Sequence, residues 1–220
     1  MRSGDDQHRP LRDMVSFLRL WVRRPARLGA VAPSSRSLAA AMAEQVDPQA
    51  PGVVVELGGG TGNITAALLE AGVAPENLVV IEREQALCRL IAGRFPSVRV
   101  LCGDARQLRR LLRREGIDRV TAVVSGLPLT LIPDRSVRTI IDQCFSVMAD
   151  DGQYIQFTYS PAPPVSRSIV TGLDIRGERA DWVFDNIPPA AVWVYRRRFA
   201  TVPLQVRRAD TDRMADARPI

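Results

Sequence analysis

The sequence predicts an α/β domain: a doubly wound, mostly parallel seven-stranded sheet with an antiparallel terminal hairpin and N-terminal helices. Three observations lead there. Short β-branched runs alternate with helix-length amphipathic segments five times over; a cluster of glycines separates the first strand from its helix; and two more strand-like runs close the chain around a proline-rich turn. A chain of 220 residues is the length of one domain with a substantial core.

Taken in order, residues 1–27 read as a polar arm followed by a helix over 10–24. Leu11, Met14, Val15, Leu18 and Val22 recur at helical spacing with Trp21 beside them, while Arg12, Ser16, Arg19 and Arg23 form the opposing stripe. An apolar face set against an Arg-rich face is the composition of a helix lying on an anionic membrane; a core-packed helix with a solvated back is the competing reading. Ser34 or Ser35 can cap a helix running through Leu38 and Met42 to about Val46. A strand over 53–57 leads into Gly58-Gly59-Gly60-Thr61-Gly62, and a helix from Asn63 to about Ala71 is ended by Gly72. The second strand, 78–81, ends in Glu82, and a helix over 85–94 is stopped by Pro96. A third strand over 98–102, an Arg-rich helix over 106–114 and a fourth strand over 120–124 follow. Asp134 is placed to cap a helix over 135–149, and the fifth strand covers 154–159. Residues 161–180 read as loop with room for one short helix. Closing strands over 181–185 and 191–199 flank Asn186-Ile187-Pro188-Pro189, the short route for a hairpin. The main domain is then 28–200, with a polar tail over 201–220.

Composition narrows the chemistry. The net charge of +6 is carried by Arg, with no Lys in the chain, and a basic surface favours nucleic acid or an acidic membrane. His8 is the only histidine and sits in the polar arm, so neither a histidine base nor a His-rich metal centre is expected. Cys88, Cys102 and Cys144 have no paired spacing and read as reduced thiols. No apolar run approaches the ~20 residues that span a bilayer, and no leader pattern opens the chain. The expectation is a cytoplasmic protein, peripheral on the inner face of the membrane.

The glycine run decides the class of ligand. Glycine lets a backbone approach a ligand closely, and the helix N-terminus behind it favours negative charge. A dinucleotide fingerprint counted from Gly58 would need glycine at Asn63, and a phosphate-binding Walker loop would need a lysine. What stands is acidic-x-Gly-x-Gly-x-Gly (Glu56, Gly58, Gly60, Gly62), which resembles the cofactor loop of class I S-adenosylmethionine-dependent methyltransferases, a Rossmann-like fold. An acid at the tip of the second strand, Glu82, suits a ribose with two hydroxyls. In the methyltransferase pattern the acid after the third strand, Asp104, receives the adenine amino group; it can equally cap the next helix. The resemblance thus implies S-adenosylmethionine as cofactor, held by Glu56, Gly58, Gly60, Gly62, Asn63, Thr65, Glu82, Arg83, Asp104, Ala105 and Ser125, with no metal.

The segments Gly29-Ala30-Val31-Ala32-Pro33-Ser34-Ser35, Ser125-Gly126-Leu127-Pro128 and Asn186-Ile187-Pro188-Pro189-Ala190 narrow the likeness. Together with the glycine loop they resemble the bacterial phospholipid N-methyltransferases, a family similar in turn to the ribosomal RNA adenine N6-dimethyltransferases. Adenine N6 enzymes follow their fourth strand with Asn/Asp-x-Pro-aromatic, which holds the amino group and stacks on a flipped base. Gly126-Leu127-Pro128-Leu129 has neither the polar side chain nor the ring. The resemblance therefore implies methylation of phosphatidylethanolamine, and of its mono- and dimethyl forms, towards phosphatidylcholine. An RNA dimethylase, or a non-catalytic lipid- or RNA-binding module on the same fold, is the alternative. Ser125, Leu127 and Tyr159 are the expected catalytic-side residues, with Tyr159 orienting the amine. Trp193 and Tyr195 are candidate aromatic walls, and Arg36 and Arg196 candidate partners for a headgroup phosphate.

Overall fold

A computed structural model describes residues 35–198. The helix expected over 10–24, the arm before it, segment 28–34 and the tail 201–220 lie outside the described residues. The elements are α1 (Arg36–Ala43), β1 (Val53–Leu57), α2 (Asn63–Glu70), β2 (Leu78–Glu82), α3 (Gln85–Arg94), β3 (Arg99–Cys102), α4 (Leu108–Arg114), β4 (Val120–Ser125), α5 (Asp134–Val147), β5 (Met148–Thr158), α6 (Arg167–Gly172), β6 (Ile175–Val183) and β7 (Ala190–Arg197).

All seven strands join one sheet in the order β3-β2-β1-β4-β5-β7-β6. Pairings among the first five strands are parallel, whereas β7 runs antiparallel to both β5 and β6. Only β7 is reversed. The reversal requires nothing more than a hairpin, while each parallel pair needs a crossover helix. The expected class I architecture is what the chain adopts.

Side-chain alternation along the central strands splits the core into two layers. Val54, Val80, Val124 and Ile155 point to the side covered by Leu38 and Met42 of α1 and Ile64 and Leu68 of α2. Val55, Val79, Val123 and Tyr154 point to the side covered by Leu112 of α4 and Ile141 and Phe145 of α5. Because β1, β2 and β4 are buried on both faces, their sequences are predominantly apolar rather than alternating.

Three expectations are corrected. Residues 175–180 belong to β6, not to a loop. Residues 176–181 are exposed, since β6 is the edge strand with no helix over this stretch, so no hydrophobic period marks it; the pairing with β7 makes it a strand. Helix α5 ends at Val147, and Met148 already pairs with Val120 before a register shift that carries the chain to the Ala122–Gln153 pair. Residues 149–152, read as helix end and turn, form this bulge. Asp134 occupies the first turn of α5, with Pro133 in the capping position. Its charge there still favours the helix dipole. Ser35 is the cap of α1: its hydroxyl accepts from Leu38 N at 3.1 Å.

Candidate functional site

The carboxyl ends of β1, β2, β3 and β4 lie side by side, and the start of β7 meets the end of β5 at the same edge, Ala191 pairing with Thr158. In open α/β sheets this is where ligands bind. Backbone bonds lock the edge: Gly58 N donates to Ile81 O, Gly103 N to Glu82 O and Gly126 N to Leu57 O, each at 2.8 Å.

Gly58, Gly60 and Gly62 have φ of 75°, 54° and 85°, a conformation that other residues rarely adopt. A Cβ on Gly60 would meet nothing closer than the Gly58 carbonyl at 3.9 Å, so the loop opens to free space there. Gly126 is needed for a different reason. Its absent side chain would stand 2.9 Å from the Gly58 carbonyl, so the turn after β4 rests directly on the glycine loop.

Glu56 is fully buried. Thr65 Oγ1 donates to its Oε2 at 2.6 Å, while Oε1 is buried with no partner. Burial pushes the carboxyl up to about 8; Thr65 opposes the rise and the neighbouring Glu82 charge adds to it. A buried carboxyl with one orphaned oxygen, behind an open glycine loop, suits a cationic amino group.

Glu82 closes the loop from the next strand. Its Oε2 accepts from Gly60 N at 3.0 Å, and its Oε1 accepts from Arg83 N at 2.7 Å and Glu84 N at 2.8 Å. These bonds leave part of the carboxylate's capacity for a diol. Asp104, beyond β3, caps the 3₁₀ turn Ala105–Gln107 by accepting from Arg106 N at 2.9 Å. Both its oxygens also accept from the Arg106 guanidinium, the shortest contact being 2.6 Å. This pairing with Arg106 holds the Asp104 carboxyl below its usual range. Arg106 reads in the sequence as one of a solvated row, and only the fold shows it engaging a site acid.

Ser125 is fully buried and its Oγ accepts from Leu127 N at 3.3 Å. The Leu127 carbonyl accepts from Gln156 Nε2 at 2.9 Å, and Gln156 Oε1 accepts from the Tyr154 hydroxyl at 2.7 Å. Sequence reasoning missed this buried Tyr154–Gln156 pair. The signal was a glutamine between the apolar residues Ile155 and Phe157. It clamps the post-β4 turn and directs the Leu127 side chain onto Gly58, whose Cβ would come within 2.8 Å of it.

Tyr159 lies one residue beyond β5, its ring edge-on to Phe157 with centroids 5.3 Å apart. Burial raises its hydroxyl well above the ordinary tyrosine value, and a bond with Asn186 opposes the rise. The phenol stays protonated at neutral pH and can orient a partner without acting as a base. Asn186 is itself buried, accepting from Ser35 N at 3.2 Å and donating to Pro188 O at 2.5 Å. Thus Ser35 and the Asn186–Ala190 turn, separated by most of the chain, meet beside Tyr159.

Two candidates are placed elsewhere. Arg196 pairs with Glu178 at 2.5 Å and with Gln153 Oε1 at 2.7 Å. Gln153 is five residues back from Thr158, roughly 17 Å at strand rise, so Arg196 sits at the wrong end of the sheet. Tyr195 is buried against Tyr154, centroids 6.1 Å apart, with Trp193 stacked on it. Tyr195 is core. Arg36 remains exposed at the site edge, next to Ser35. Among the described residues no cluster of His, Cys, Asp and Glu has the makings of a metal centre, and no helix is long and apolar enough to cross a membrane.

The family model described as "Methyltransferase domain" matches residues 54–152. The ornithine lipid N-methyltransferase of Singulisphaera acidiphila is 31% identical over 154 residues, covering 69% of this chain and 80% of that protein. Among solved structures, the O-methyltransferase from Bacillus cereus in complex with S-adenosylhomocysteine has a TM-score of 0.60 at 13% identity, covering 83% of this chain and 90% of that one. The 1,6-didemethyltoxoflavin-N1-methyltransferase of Burkholderia thailandensis has a TM-score of 0.59 at 14% identity, covering 90% and 93%. At such identities the structural likeness shows the fold alone.

Proposed function

The chain belongs to the class I S-adenosylmethionine-dependent methyltransferases, and from that premise we propose that it methylates the headgroup amine of a membrane lipid, phosphatidylethanolamine first, towards phosphatidylcholine. The observation carrying the acceptor class is the turn after β4. Leu127 is packed on Gly58, Gly126 offers no side-chain hydrogen-bonding group and Leu129 no aromatic ring, so the turn lacks both the polar hold and the stacking platform a flipped base needs. The 31% identity to an ornithine lipid N-methyltransferase supports the lipid reading and favours an ornithine headgroup as the second acceptor to consider.

The methyl donor is S-adenosylmethionine, which supplies an electrophilic methyl group on a sulfonium. Glu56, with its orphaned oxygen, would take the amino-acid end, the 58–62 loop would pass close to the cofactor at Gly60, where the backbone faces open space, and Glu82 would accept from the ribose hydroxyls. Asp104 and the backbone at Ala105 would hold the adenine edge. Arg83, Asn63 and Thr65 complete that set, Thr65 through Glu56 and Ser125 by holding Leu127.

What the chain must do for the acceptor is desolvate and orient it. A lysine-like amine with a pKa near ~10.4 is only about 0.1% neutral at pH 7.4, a cost of about 4 kcal/mol unless the site lowers that pKa. Desolvation against Leu127 does so. The Tyr159 phenol, kept protonated and tied to Asn186, orients the nitrogen, and the proton leaves through water or a carboxylate. Arg36 is the candidate partner for a headgroup phosphate. Residues 10–24 are the proposed membrane-surface helix, binding reversibly and with salt sensitivity.

The test is transfer of label from S-adenosylmethionine to vesicles of phosphatidylethanolamine, to ornithine lipid, or to RNA. Labelled mono- to trimethylated phosphatidylethanolamine is expected. Label in ornithine lipid alone would replace the acceptor, and label in RNA alone would overturn the lipid reading.

A further inference from the structure

We propose that the tip of the β6–β7 hairpin, residues 184–189, is a wedge that enters the headgroup layer of the membrane beside the acceptor site. The inference rests on the lipid reading above for the nature of the surface, and on the tip's own geometry for the rest.

Apolar side chains are displayed there, uncovered by any other described residue. Phe184 is 74% exposed and Ile187 86%, the two most exposed large hydrophobic residues among those described. Trp182 stacks on Phe184 with centroids 5.9 Å apart and planes 20° apart. The Arg179 guanidinium lies over the Trp182 ring, 5.4 Å from its centroid. Aromatic rings with a cation behind them are the composition of a membrane–water boundary.

The tip is also held firmly. Buried Asn186 bonds forward to Pro188 O and across to Ser35 N. A loose loop could fold its apolar residues away from water; this one is pinned in a shape that keeps them out.

Position supplies the occupant. Val183 pairs with Ala190 and Thr158 with Ala191, so the tip projects from the sheet edge that carries the glycine loop, and Asn186 touches Tyr159. A lipid amine reaches a methyl donor inside the protein only through its short headgroup, while its acyl chains stay in the bilayer. Whatever flanks the acceptor mouth must then lie at headgroup depth, and the tip flanks it. Exposed Asp181 and Asp185 beside the wedge make attraction to anionic lipid a poor explanation for its binding. Insertion here is apolar and persists in high salt, unlike binding through an Arg-rich helix.

The experiment uses the full chain and its Phe184→Ser, Ile187→Ser and double variants. Partition onto phosphatidylethanolamine/phosphatidylglycerol vesicles is measured at low and high salt, together with melting temperature and methyl transfer to the same lipid either in vesicles or as a short-chain monomer. Each substitution is expected to weaken high-salt partition by about tenfold and the pair by about a hundredfold, from the apolar area withdrawn. Turnover in vesicles should fall in parallel, while melting temperature and turnover of the monomeric lipid hold. Unchanged high-salt partition of the double variant overturns the wedge. So does a lowered melting temperature, which would mean that another part of the chain already covers the tip. So does a wild-type dimer that the variants dissociate. If the wild type methylates no lipid yet its partition still depends on Phe184 and Ile187, the proposed function fails and the wedge stands.

Discussion

Replacing Glu56 with Gln should remove a dependence of stability on pH between about 4.5 and 8. In the unfolded chain this carboxyl ionises near 4.5, whereas in the ligand-free fold burial holds its proton until about 8. Between those values the unfolded state carries fewer protons than the folded one, so unfolding becomes easier as pH rises and the slope flattens above about 8. At about 1.4 kcal/mol per pH unit, the loss across the window is at most on the order of 5 kcal/mol, a large part of a normal folding free energy. Glu56→Gln keeps an oxygen that can accept from Thr65 and abolishes the titration. Urea unfolding of both proteins without cofactor, at about pH 5, 6.5 and 8, should show wild-type stability declining relative to the variant. The same carboxyl should release a proton when a cationic amino group binds beside it below about pH 8. Calorimetry with S-adenosylhomocysteine in buffers of different ionisation enthalpy reads that release, which Glu56→Gln should lack. Parallel pH profiles for the two proteins, with no difference in proton release, would refute the reasoning.

Four other substitutions probe the rest of the edge. Gly126→Ala drives a methyl into the Gly58 carbonyl 2.9 Å away; a cost of about 1–3 kcal/mol and at least tenfold weaker S-adenosylhomocysteine binding should show by melting and calorimetry. Asn186→Ala removes the bonds to Ser35 and Pro188, so stability should drop by about 1–3 kcal/mol and KM for lipid should rise with cofactor affinity unchanged. Tyr159→Phe keeps the ring contact with Phe157 and, because the phenol is already held protonated, should slow turnover by about tenfold or less without moving the pH–rate limb. A displaced limb would make Tyr159 the base after all. Asp104→Asn frees an exposed Arg106 and should cost under about 1 kcal/mol of stability while weakening cofactor binding severalfold.

The donor half of the site is legible in the chain because its determinants are local. Glu56, Gly58, Gly60 and Gly62 sit within one strand-turn-helix unit, and their spacing alone states where the backbone must turn and leave room. Glu82 is legible for a related reason: a parallel strand buried on both faces is a continuous apolar run, so a carboxylate at its end stands out. What stayed hidden were pairings that only the fold selects. Arg106, two residues from Asp104, is one arginine among many until the turn after β3 folds its guanidinium back onto that acid. Gln156 gave only a faint signal, and its task of holding Leu127 through a carbonyl depends on β5 lying beside β4. The edge strand β6 was hidden by its own exposure.

The order of local signals determined by itself that this chain is a doubly wound sheet with a glycine loop at the carboxyl end of its first strand, since propensity, patterning and turn chemistry act over a few residues. Tertiary structure alone decided which distant side chains share that edge. It carried Arg196 to the far end of the sheet, set Asn186 between Ser35 and Tyr159, and left Phe184 and Ile187 bare at the hairpin tip. The physical reason is that register between strands far apart in sequence is chosen by the whole packed sheet, so no short stretch of residues encodes it.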